Sequence, residues 1–243
     1  MPAIQSYFIE PIWKQFCALL PERKVEHPLV CHKSRIPDRM VFEKLLRVLV
    51  FSCAYRRIAD EECPESTLHR RRDEWIDPGL IEALREIALS AYDRTIGLQP
   101  AYVAVDGCIT KAPCGGEKAG RSPVDRGKQG IKRPTAVDAN GIPIGGITDP
   151  ANRHDSPLLI PTLEYASASA GGLPEGASVH LGRGYDSFIT RERLKERGLN
   201  AEIAENGKPA PLRVGNRWVV ERTNSWRTPI RSFCGVRSAR VRS

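Results

Sequence analysis

The chain has 243 residues, 41% of them hydrophobic, enough for one large domain or for a medium domain with a small companion. Thirty-seven Lys and Arg against 29 Asp and Glu leave a formal charge of +8, and because the surplus gathers in patches it points to an anionic polymer as partner. No apolar run is long enough to span a bilayer, no secretory leader opens the sequence, and the seven cysteines show no C-x-x-C pair, so membrane, secreted and zinc-ribbon classes are set aside for a protein of the reducing cytoplasm.

The first elements are helical. Phe8, Ile12, Phe16, Leu19 and Leu20 recur at helical spacing from Tyr7 until Pro21 stops the run. A loop marked by Pro28 and Pro37 follows, and Cys31-His32 within it has no second pair nearby that would make a metal site. Asp38 then caps a helix with Val41, Phe42, Leu45, Leu46, Leu49 and Val50 on one stripe. Ile58 to Glu61, a turn at Glu62 to Glu65, and a helix capped by Ser66 and running to Trp75 suggest a helix-turn-helix. Its second helix carries Arg70, Arg71 and Arg72 toward DNA, although three consecutive arginines spread round a helix and not all can face one groove. Asp77-Pro78 opens a further helix that buries Leu80, Ile81, Leu84, Ile87, Ala88 and Ala91 and ends before Gly97. Residues 1–97 thus form a small all-helical DNA-binding domain, and Leu98-Gln99-Pro100 starts the domain 98–243.

From Tyr102 the period changes to that of strands. The run 102–106 ends on Asp106 and leads to a Gly-rich, basic segment from Cys114 to Arg133, which is either a solvated loop or a phosphate-contacting one using Arg121, Arg126, Lys128, Lys132 and Arg133. Thr135 to Asp138 and Ile142 to Thr148 flank Asn140-Gly141, a strong hairpin signal. A helix follows over Leu158 to Ala168, capped by Asp155 or Ser156, then a strand over Ser178 to Leu181, a helix from Thr190 to Gly198 and a strand over Ala201 to Ala204. The last helix starts near Trp218, with Val219, Trp226, Ile230 and Phe233 on one side and Glu221, Asn224, Ser225 and Thr228 on another. This order of elements, three strands and then alternating helices and strands with an acid on the last helix, predicts an α/β fold: an RNase H-like mixed five-stranded sheet with flanking helices.

With these pieces in place the sequence resembles DDE transposases of the IS5/IS4 group of bacterial insertion sequences, particularly the actinobacterial type. The resemblance rests on Arg35-Ile-Pro-Asp-Arg39 and Arg70-Arg-Arg-Asp-Glu-Trp75 in the helical part. In the second part it rests on Val105-Asp106-Gly107, Pro123 to Lys128, Asn152-Arg-His-Asp155, Arg183-Gly-Tyr-Asp186 and Trp218 to Trp226. It implies Asp106 as the first and Glu221 as the third catalytic, metal-holding carboxylate of a two-ion Mg²⁺ or Mn²⁺ site that cleaves and joins DNA strands. The second carboxylate of that pattern falls on Gly182, and substitution by Asp138, Asp155 or Asp186 is open only to a side chain that meets the geometry of a metal site.

Lys128, Lys132, Arg183 and Arg222 are the expected phosphate contacts, with Arg126 beside them. Trp226 either stacks on a displaced base or packs in the core with Val219 and Ile230. After Trp226 the family pattern is lost: Pro229 interrupts the helix, and an Arg/Ser-rich tail replaces the usual continuation. The partners implied are double-stranded DNA, both element ends and target, and a second copy of the chain in a homodimer or larger assembly on DNA; the location implied is the nucleoid of a bacterial cytoplasm. Two further readings are a catalytically inactive DNA-binding remnant that inhibits active copies, which Gly182 favours, and an RNase H-fold nuclease unrelated to transposition, which the helical part disfavours.

Overall fold

A computed structural model describes residues 4–22, 35–51, 53–113, 115–205, 207 and 217–227, apart from the side chains of Trp226 and Arg227. The chain divides into two compact units, Met1–Ala91 and Tyr92–Ser243.

The first unit is helical: α1 (Ser6–Leu19), α2 (Asp38–Phe51), a single 3-10 turn (Tyr55–Arg57), α3 (Glu65–Ile76) and the start of α4 (Leu80–Thr95), which crosses the boundary between the units. Its core is aromatic. Phe16 stacks on Phe42 with ring centroids 4.9 Å apart and meets Trp75 edge-on at 4.8 Å, and Val41, Leu45 and Leu68 close around them. On α1 the fully buried residues are Ile9 and Phe16, seven apart, while Phe8 and Ile12 of the expected stripe are exposed. The buried side of α1 is a narrow seam, with Phe16 set against both α2 and α3. On α4 the fully buried side chain is Leu89, and Ala88 of the expected set is exposed.

The expected pair of short helices differs. Residues 58–61 form no helix, and α3 begins at Glu65 behind Pro64, whose fixed backbone (φ −62°) leads the chain in, so that Ser66 lies inside the first turn and caps nothing.

The second unit is a mixed α/β layer structure. Its strands are β1 (Tyr102–Lys111), β2 (Gly120–Arg121), β3 (Gln129–Val137), β4 (Pro143–Gly146), β5 (Asp149–Pro150), β6 (Ser178–Leu181) and β7 (Asn200–Ile203). They lie in the order β2-β3-β1-β6-β7, and β3 also pairs with β4 and β5. β1 runs antiparallel to β3 and parallel to β6, which is parallel to β7. Seven strands replace the expected five because the two-residue strands β2 and β5 flank β3, which itself starts at Gln129 and not Thr135. The basic stretch read as loop continues the ladder, with Lys132 opposite Ile109 and Arg133 opposite Cys108.

The helices are α5 (Asp155–Ser169), α6 (Phe188–Lys195) and α7 (Trp218–Arg227). α5 packs on β4 at Gly145, where a Cβ would come within 2.7 Å of the Ala166 backbone. α7 covers β1 and β3, joining Val219 and Val220 to Ala104 and Val137 in one buried cluster. The hairpin at Asn140-Gly141 is held by buried Asp138, whose carboxylate accepts from the amides of Asn140 (3.0 Å), Ile142 (2.9 Å) and Gln99 (3.2 Å).

Candidate active site at the ends of the parallel strands

Parallel pairing sets Val105 of β1 opposite Leu181 of β6, so Asp106 and Gly182 are the next residues out on adjacent strands. α7 then brings its polar side to the same place. The Asn224 side-chain amide donates to Asp106 Oδ2 at 3.3 Å, and Glu221, one turn earlier on that helix, faces Asp106 closely enough to repel it electrostatically. Burial, and after it the Glu221 charge, holds the Asp106 carboxyl above the ordinary range; the Asn224 bond and the Gly107 amide oppose that rise, and Asp155 adds to it.

Asp155 reaches the cluster from the first turn of α5. It lies so close to β1 that a Cβ on Gly107 would collide with its Oδ1. Its counter-ion is Lys132 of β3, Nζ to Oδ1 at 3.1 Å, with side-chain exposures of 8% for the lysine and 31% for the aspartate. Tyr185 completes the wall. Its hydroxyl is buried with no hydrogen-bond partner, and burial, then the charges of Asp155 and Asp106, push its pKa far up, so the phenol stays protonated.

Position 182 faces the same region from β6. A Cβ built on Gly182 would stand 3.5 Å from Arg217 Nη2, an ordinary contact, and that guanidinium nitrogen is 3.7 Å from Glu221 Oε1. A side chain at 182 and the Glu221 carboxylate would therefore share one arginine. Among the described residues no three His, Cys, Asp or Glu side chains are already arranged around a metal position. Asp106 and Glu221 bring to one place carboxylate oxygens, the donor type that a divalent ion of the Mg²⁺ kind takes beside waters and phosphate oxygens.

The expected DNA-contacting residues are placed unevenly. Arg70 is 66% exposed, but Arg71 is wholly buried, ion-paired with Asp38 and donating to the Ile36 carbonyl. It is a structural arginine, and the helix periodicity that turns one residue in three inward is the reason. Arg72 bonds Asp73 at 2.7 Å and lies over Tyr55. Lys132, expected as a phosphate contact, is likewise withdrawn into the sheet and paired with Asp155. Arg126 and Lys128 are exposed in the loop between β2 and β3, Arg126 with φ of 51° in the turn. Arg183 is exposed just after Gly182. Arg222 donates to the Asn140 carbonyl at 2.7 Å and stacks over Trp218, bracing α7 on the hairpin. The side chain of Trp226 and everything from residue 228, including Pro229, Ile230 and Phe233, lie outside the described residues, as do Cys31 and His32.

Sequence reasoning placed Asn224 on the Glu221 side of its helix without naming it for the site, and missed Arg217 and Tyr185 as members of the cluster. Helical spacing from Glu221, three residues on to Asn224 and four back to Arg217, was the available signal for the first two.

No protein-family profile matches the chain. It is 33% identical over 147 residues to a transposase for insertion sequence element IS402 of Burkholderia cepacia, covering 58% of this chain and 67% of the relative. It is also 40% identical over 76 residues to the transposase for insertion sequence element IS1106 of Neisseria meningitidis serogroup B, 31% of this chain and 24% of that one. Among solved structures, a piggyBac transposase in a synaptic complex with hairpin DNA is similar over 81% of this chain and 48% of its own, at 11% identity and a TM-score of 0.40. Transposases are thus the class that the Burkholderia and Neisseria relatives define. The chain belongs to the family of insertion-sequence transposases.

Proposed function

We propose that this chain is a DDE transposase of the IS5/IS4 group whose second carboxylate has been replaced by Gly182. In this reading the second unit is an RNase H-like domain that cleaves insertion-sequence ends and transfers the strands, and residues 1–97 are the DNA-binding domain, with Arg70, Arg126, Lys128 and Arg183 as contacts to phosphate. The observation that carries it is the shared Arg217: position 182 and Glu221 face one guanidinium, on strands and a helix that also converge on Asp106. Three carboxylates at 106, 182 and 221 would close on a common point, and this chain supplies two.

The roles follow from chemistry. Asp106 and Glu221 would hold Mg²⁺ or Mn²⁺, which when bound activates the attacking oxygen and neutralises charge at phosphorus. Asn224 fixes the rotamer of Asp106. Arg217 orients Glu221, and Lys132 keeps the Asp155 charge from crowding Asp106. A carboxylate replaced by hydrogen removes a ligand and a negative charge, so the strand-cleaving activity is reduced by orders of magnitude. The same observation supports the related reading that this copy binds DNA without cutting it and competes with active copies.

The test is Mn²⁺-dependent cleavage of DNA carrying the gene's own flanking repeats by the chain as it stands, by Gly182→Asp, and by Gly182→Asp combined with Asp106→Ala. Cleavage by Gly182→Asp alone is expected. Equal cleavage by the unaltered chain would overturn the role given to position 182.

A further inference from the structure

Helix α1 is apolar on two sides. Ile9 and Phe16 form its buried seam, and on the far side Tyr7, Phe8, Pro11, Ile12 and Ala18 are exposed, the first two at 66% and 57% with ring centroids 4.2 Å apart. At 3.6 residues per turn these five positions fall on one stripe, which Gln15 joins as its single polar and uncharged member. The two charged residues of the helix, Glu10 and Lys14, lie beside the stripe, and Glu10 is held by Arg39 at 2.9 Å. A helix at the surface of a single unit turns a polar face outward; one that buries an apolar side and presents a second is built to be covered twice.

Charge narrows what covers the second side. With one lysine and one glutamate, α1 lacks the basic flank by which an amphipathic helix selects a lipid surface or a phosphate backbone. Residues 1–91 hold 14 Lys and Arg and 14 Asp and Glu, so the whole surplus of eight belongs to 92–243. Among the described residues, seven of those 14 cations are in ion pairs within the helical unit. The unit therefore brings no net charge that would hold two copies of itself apart, and a stripe rich in aromatic side chains and free of charge has the composition of an interface core.

We propose that the exposed side of α1 pairs with the same side of a second copy of this chain, antiparallel about a two-fold axis. Such a contact must fit itself, and an axis between Phe8 and Ile12 sets the Phe8 ring of each copy on Ile12 of the other. The area buried is on the order of 1,000 Å² over both copies, the least that a specific interface clears, so the pair is weak, with a Kd of roughly 10 μM. Arg70, the phosphate contact of the helical unit, is on α3, so the pairing goes beyond the transposase reading and does not depend on it.

The test is sedimentation equilibrium of the full chain, without DNA or metal, from about 1 to about 100 μM. The unaltered chain should pass from monomer to dimer over that range. Phe8→Glu and Ile12→Lys should each raise the Kd at least tenfold with Tm unchanged, because both side chains are exposed. An equimolar mixture of the two variants should dimerise within about threefold of the unaltered Kd, since one contact then joins the introduced acid to the introduced base and the other is the original ring on isoleucine. A chain that stays monomeric, or a dimer that neither variant weakens, overturns the proposal. Loss without recovery on mixing overturns it too, because the contact then has no two-fold axis at this stripe. A monomer whose Tm falls by several degrees in either variant overturns it in favour of a stripe covered by the chain's own residues. The transposase reading stands in each case.

Discussion

Replacing Lys132 by methionine separates two views of this residue. In the sequence it belongs to a basic patch suited to phosphates; in the structure its ammonium lies within the sheet, 8% exposed, 3.1 Å from Asp155. Methionine keeps the length and apolar stem of the side chain and removes only the charge, leaving Asp155 beside Asp106 without a counter-ion. Breaking a fully buried pair costs about 3–5 kcal/mol, and since Asp155 is 31% exposed and can draw on solvent, the expected loss is about 2–3 kcal/mol. For a domain of this size that lowers Tm by roughly 4–12 °C. A second variant, Lys132→Met with Asp155→Asn, removes the stranded charge and should recover more than half of the loss in a thermal or urea melt. A Tm within about 1 °C of the unaltered chain for Lys132→Met, accompanied by weaker DNA binding, would refute the reasoning and return Lys132 to the phosphate-contacting surface.

Three further outcomes are expected. Gly182→Asp should fold as well as the unaltered chain without metal, since its backbone is ordinary (φ −72°, ψ 169°) and its Cβ meets only Arg217 at 3.5 Å; with Mn²⁺ at about 100 times its Kd it should gain about 2.7 kcal/mol in melting experiments, and the unaltered chain much less. Arg71→Ala should cost about 2–3 kcal/mol in urea unfolding, because it breaks a buried pair whose carboxylate, Asp38, is 27% exposed and keeps Arg35 at 3.8 Å, whereas Arg70→Ala, at an exposed position, should stay within about 0.5 kcal/mol. Because the folded Asp106 carboxyl ionises later than its unfolded counterpart, the metal-free protein should lose stability as pH rises from the ordinary aspartate range to the raised value and level off above it. Glu221→Gln removes one cause of that rise, so its urea midpoint should fall less over the same window; an unchanged decline would show that the two carboxylates do not interact.

How much could be read from residues alone divides along a physical line. The start of strand β1, the Asn140-Gly141 hairpin and the helix bearing Glu221 are local signals, carried by β-branched runs, turn chemistry and helical period, and the sequence showed them; that β1 runs on past Asp106 to Lys111 it did not, because residues 107–111 are held in the strand by pairing with β3. The inward turn of Lys132 and Arg71 was not legible, since whether a cation faces solvent depends on a partner far along the chain, Asp155 in one case and Asp38 in the other. The same holds for β3, whose first five residues look like a polar loop and become strand only because β1 is there to pair with them. Gly182 stands out against the family pattern, but its nearness to Arg217, like that of Asp155 to Gly107, is set by how distant segments pack and leaves no local trace.

The charge of the cluster accounts for how such a chain can keep its fold. Three carboxylates, Asp106, Asp155 and Glu221, meet two cations, Lys132 and Arg217, leaving one net negative charge in a partly buried place. An aspartate at 182 would leave two, the charge of one divalent cation. That set of side chains is balanced only with the ion bound, and without it each added carboxylate raises the cost of ionising its neighbours. Glycine at 182 brings the empty cluster nearer to neutrality and removes the charge that would draw the ion in. An uncharged residue at 182 therefore leaves the metal-free cluster under less like-charge repulsion than an aspartate there would, which bears on the stability of this unit and not on its surfaces elsewhere.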